Sequence, residues 1–134
     1  MKHIFFLLVV LSTFEFDAFA QQIDATQYVV LSDAHSQQKI KLSQKEIIKL
    51  EKLITACITK YNAHQEGMNK IMDLKTYKRQ YVVSTTRNGQ KIVWVNCFCE
   101  APSGWRKGVV WVSDGGNCFF NLKINLSKNL YFDL

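Results

Sequence analysis

Proline occurs once in 134 residues, glycine six times and arginine three times. A chain so poor in proline and glycine is not collagen-like and carries no flexible or polyproline linker. The longest unbroken apolar run, Ile4 to Leu11, has eight residues, far below the ~20 that a membrane-spanning helix requires. No C-x-x-C pair is present, which removes the usual zinc-knuckle and thioredoxin signatures. Scarce arginine also argues against nucleic-acid recognition, for which the nearest approach is Tyr77-Lys78-Arg79 with Tyr81. No nucleic-acid partner is implied. What remains is an ordinary globular composition, 48% apolar and 21% charged, with a formal net charge of +6 that is mostly lysine.

Lys2, the apolar run and the small-x-small triplet Ala18-Phe19-Ala20 form the pattern of a cleavable export leader. Residues 1–20 are therefore read as a signal peptide and residues 21–134 as a single domain, secreted or periplasmic, with no membrane span after cleavage. All four cysteines, Cys57, Cys97, Cys99 and Cys118, lie in the retained part. An oxidising destination favours disulfides over free thiols.

The strongest local signal is Ser43-x-x-Glu46, a capping box in which a hydroxyl and a carboxylate each take an orphaned backbone N–H. Ile47, Leu50, Ile54, Cys57 and Tyr61 then recur at spacings of three and four. This predicts one amphipathic helix over 43–66, ended by Gly67. Short strands are predicted at 27–32 and 38–42. Asn88-Gly89 predicts a two-residue type I′ turn joining strands 77–87 and 90–99. Lys91 to Cys99 is apolar on both faces, as expected for a central strand with cover on both sides. Further strands are predicted at 105–113, 118–126, where Cys118, Phe120, Leu122, Ile124 and Leu126 share the apolar face, and 130–134. The fold class is thus α+β, one long helix packed on a meander antiparallel sheet of about four strands.

That outline resembles the cystatin-like architecture, in which a sheet wraps a long helix. The segments V-N-C-F-C (95–99) and D-G-G-N-C-F-F (114–120) look like those of a group of small exported bacterial proteins of unknown function. The cystatin resemblance implies a cysteine-protease-inhibitor-like binder, with Gln80 to Ser84 approximating Q-x-V-x-G and Pro102 with Trp105 standing for the second inhibitory loop.

Cys97 and Cys99 project to one face of their strand, and an i, i+2 bridge between them is geometrically poor. The expected bond is one core disulfide from Cys57 to a sheet cysteine, with Cys118 ahead of Cys97 or Cys99. Metal ligation by Cys97, Cys99 and a third donor is a weaker alternative, and neither a metal nor a cofactor is implied. No cysteine begins a helix and no acid pair or nucleophile motif is present. The expectation is a non-catalytic domain that binds an unknown protein or polymer through its loops: Asn88, Gly89, Pro102 and Trp105 are the candidates. A thiol-dependent enzyme using Cys97 or Cys99 is the alternative.

Overall fold

The computed structural model describes residues 23–36 and 38–132. The predicted signal peptide and the last two residues of the predicted final strand lie outside them. The described chain runs β1 (Tyr28–Ser32), α1 (Gln44–Asn62), β2 (Lys78–Thr85), β3 (Lys91–Phe98), β4 (Phe119–Asn125) and β5 (Leu130–Phe132), with short 3-10 turns between. The sheet has five strands in the order β1-β2-β3-β4-β5. The α+β class holds, but the sheet is mixed rather than a four-stranded antiparallel meander. β1 pairs parallel with β2, and the other three pairings are antiparallel. Parallel neighbours require a crossover, and α1 supplies it.

Ser43 caps α1 as its sequence predicts: its hydroxyl accepts from the Glu46 N–H, and the Glu46 carboxylate accepts from the Ser43 N–H. Glu46 also holds Lys91 of β3 at 2.6 Å. The helix ends at Asn62, four residues short of the predicted end. Asn62 turns its side chain onto the following segment, donating to Ile71 O and accepting from Ile71 N at 2.7 and 2.8 Å. That clamp starts the connector before Gly67 is reached. Ile47, Leu50, Ile54, Cys57 and Ile58 are buried against Tyr81, Val83, Val93, Val95, Leu122 and Ile124 of the sheet.

The Lys91 ammonium, with the Ser43 N–H behind it, holds the Glu46 carboxyl below its ordinary value. A depressed carboxyl contributes stability above its unfolded pKa and loses it as pH falls through the folded one. Glu46→Gln should therefore cost about 0.5–1 kcal/mol of unfolding free energy at pH 7 for this partly exposed pair, and the difference should shrink as pH falls through the depressed Glu46 pKa. Urea titrations at pH 7 and at successively lower pH check this.

Three predicted elements differ. Residues 38–42 form no strand; the Ile40 N–H donates to the Ser32 hydroxyl and the segment leads into the Ser43 cap of α1. Residues 105–113 form no strand either; they turn at Gly104, whose φ is +77°, and fold as a loop across the sheet. The hairpin is present, but Thr86 N–H donates to Gln90 O and Gly89 N–H to Thr86 O. Gly89 has φ +76° and Asn88 is not left-handed, so the loop is Arg87-Asn88-Gly89 with a glycine bulge, not a two-residue type I′ turn.

Candidate functional site

Alternation along the strands gives the sheet two unlike faces. Arg79, Tyr81 and Val83 of β2 face α1. Gln80 and Val82 face the other way, as do Trp94, Asn96 and Phe98 of β3. The loop 101–117 lies over part of this outer face. Gln80, fully buried, fastens it: Nε2 donates to Trp105 O and Gly108 O, while Oε1 accepts from Val110 N and Asn96 Nδ2. Asn96 Nδ2 adds a bond to Val110 O at 2.8 Å. Trp105 packs edge-on against Phe98, and the Arg106 guanidinium lies 4.5 Å from the Trp105 ring while donating to the Tyr28 and Thr26 carbonyls. Gln80→Leu should destabilise by about 2 kcal/mol, the cost of several polar groups left with poorer partners. Its tryptophan emission should shift to the red as the loop lifts. An unshifted spectrum with unchanged stability would contradict the latch.

The same loop is closed by a disulfide between Cys99 and Cys118. Cys118 was expected to reach Cys57 across the core. Instead it lies just before β4 and is exposed, directly opposite Cys99 where the Phe98–Phe119 register continues outward. Cys99 N donates to Cys118 O at 3.0 Å, so the backbones are already side by side. Cys57 is buried on the helix stripe and Cys97 is fully buried in β3. Burial pushes the Cys97 thiol well above its ordinary pKa, partly opposed by Arg79. Among the described residues no group of three or more His, Cys, Asp or Glu side chains could hold a metal ion.

Where the loop stops, the outer face is open. Leu31, Val82, Trp94, Lys123 and Phe132 are consecutive register partners from β1 to β5, one row across all five strands. Trp111 stacks over Trp94 with ring centroids 5.7 Å apart, yet it is 80% exposed. Phe132 is 45% and Leu130 48% exposed on the same face at the β5 edge, with Lys123 between Trp94 and Phe132. Isolated exposed apolar residues are ordinary, whereas a contiguous group is not.

The opposite face carries a second feature. Arg79 and Glu51 pair at 3.0 Å between sheet and helix, and the Tyr81 hydroxyl hydrogen-bonds to both. Burial raises the Tyr81 pKa, and the neighbouring Glu51 carboxylate reinforces the shift. Beside this pair a cleft of about 1210 Å³ opens between α1, the connector and the segment before β1.

The predicted binding residues do not form one site. Asn88 and Gly89 lie at one end of β3, while Pro102 and Trp105 follow its other end, about 23 Å away at ~3.3 Å per residue. Gln80, the first residue of the approximate Q-x-V-x-G, is buried as the loop's anchor. Sequence reasoning missed Trp94, Trp111 and Glu51, and took Arg79 only as part of a weak nucleic-acid pattern rather than as half of a buried ion pair. The available signal was Arg79-Gln80, two large polar residues directly before the apolar stretch Tyr81-Val82-Val83.

A single helix laid on one face of a mixed five-stranded sheet, with a disulfide-closed loop on the other, defines an α+β domain with an unfilled outer surface. Comparison with protein-family models, curated proteins and solved structures finds no match.

Proposed function

We propose that this chain is an exported, non-catalytic binding module that holds an acidic partner protein against the open end of its sheet. The observation that carries the reading is Trp111, largely exposed yet seated on Trp94 in the row that crosses all five strands. Exposed aromatics clustered in this way are typical of interface centres. Lys123, between Trp94 and Phe132 in the row, and the chain's +6 charge favour an acidic partner over a second copy, which would bring like charges together. Thiol catalysis finds no support here: Cys99 is bridged, and Cys97 is sealed with its thiol held protonated. Export rests on the leader pattern of residues 1–20.

Trp111→Ala should leave the fold intact and weaken partner binding by at least about tenfold, as expected for a central aromatic anchor. The check is affinity capture from the extracytoplasmic fraction, followed by titration of the captured protein onto wild type and variant. Equal affinities, or self-association through this face, would overturn the reading.

A further inference from the structure

We infer that the cleft beside α1 is a binding site for a single-chain amphiphile with a carboxylate head. The inference stands apart from the sheet-face reading, since the two surfaces lie on opposite sides of the sheet. The cleft wall is apolar where Ile48 and Ile58 of α1 face Ile71 and Leu74 of the connector and Ile23 before β1. Arg79 also forms part of the wall. Its side chain is only 4% exposed. Nε is occupied by Glu51 and Tyr81, and Nη1 by the Leu74 and Tyr77 carbonyls. Nη2 is left with no hydrogen bond among the described residues. Nη2 is not among the buried atoms without a partner, so it opens on the cleft and presents an N–H donor there, to which a charged acceptor bonds most strongly.

The charges around it select the sign of the head. Lys52, Lys60 and Lys75 join Arg79 in the lining, against Asp24, Glu51 and Asp73. Glu51 is neutralised by Arg79, whereas Asp24 and Asp73 accept from the Thr26 and Lys75 N–H groups and keep their charge. The lining therefore carries one positive charge in excess, and the exposed Lys52 and Lys75 ammonium groups have no carboxylate partner among the described residues. An apolar wall ending in cationic donors suits an alkyl chain ending in a carboxylate. A neutral oxygen would accept from Nη2 without the charge-assisted gain, and a cationic head would face the lysines.

The probe is dansylaminoundecanoic acid, whose emission rises on entering an apolar site, titrated at pH 7.5 into the purified protein. Saturable binding with one site per chain is expected. Unlabelled dodecanoate should displace the probe, and methyl dodecanoate should do so at least about tenfold less well, the worth of a charge-assisted hydrogen bond. Two variants place the ligand without disturbing the core. Ala56→Phe inserts a ring at an exposed cleft-lining position, and Lys52→Glu with Lys75→Glu reverses two exposed charges. Each should weaken binding by about tenfold or more, while Trp111→Ala should leave it unchanged. Absence of saturable binding, equal displacement by the ester, or loss of binding in Trp111→Ala rather than Ala56→Phe would each overturn the inference.

Discussion

Glu51→Ala is expected to cost about 3–5 kcal/mol of folding stability, the range for breaking a buried ion pair from one side. The reason lies in the asymmetry of the pair: the Arg79 side chain is 4% exposed and that of Glu51 15%. Removing the carboxylate leaves an almost fully buried guanidinium charge uncompensated, and arginine cannot shed its proton. Its bonds to Leu74 O, Tyr77 O and the Tyr81 hydroxyl remain, but none of them carries the compensating charge. Removing Arg79 instead leaves a carboxylate closer to solvent and still bonded to the Tyr81 hydroxyl, so Arg79→Met should cost less. The double variant Glu51→Leu with Arg79→Met should recover part of the loss, because two apolar side chains owe no desolvation. Thermal unfolding followed by circular dichroism reads all three. For Glu51→Ala the midpoint should fall by roughly 15 °C. A fall of only a degree or two would show that the pair is not buried between helix and sheet.

The second large effect belongs to the Cys99–Cys118 bridge. Replacing both cysteines by alanine should cost about 3 kcal/mol, the loop-closure value for a separation of 19 residues. The loss should be local in character. The bridge sits at the outer end of β3 and β4 and closes the loop that carries Trp105 and Trp111, whereas α1 and its contacts lie on the other face. Far-UV dichroism should therefore stay close to that of the wild type at 25 °C, while tryptophan emission reports a loosened loop. Peptide mapping without reduction should recover Cys99 linked to Cys118. A Cys57–Cys118 peptide would contradict the register described here.

The parts of this fold that were legible in the sequence are those specified by neighbours. Ser43 and Glu46 cap the same turn, so the helix start could be read directly, and the stripe of Ile47, Leu50, Ile54 and Cys57 is the buried one. Phe120, Leu122, Ile124 and Leu126 alternate inward as written. Errors appear wherever a distant residue decides. Residues 105–113 contain a β-prone Val-Val-Trp-Val, yet Gln80 and Asn96 bind their backbone groups and hold them as a loop. The helix stops at Asn62 because Ile71 offers a partner for its side chain. The β1–β2 pairing joins segments some fifty residues apart, and no local pattern announces it. Choosing Cys99 over Cys57 as the partner of Cys118 requires the β3–β4 register, which only the folded sheet supplies. The open row from Leu31 to Phe132 is equally non-local, one residue from each of five strands.

The central claim is that α1 covers one face of the sheet while part of the other, around Trp94 and Trp111, stays open. Hydroxyl-radical footprinting with mass-spectrometric readout tests it residue by residue. Trp111, Leu130 and Phe132 should be oxidised rapidly, while Leu50, Ile54 and Tyr81 stay protected until the protein is unfolded. Protection of Trp111 comparable to that of Tyr81 in the isolated protein, or rapid oxidation of Leu50 and Ile54, would contradict the account.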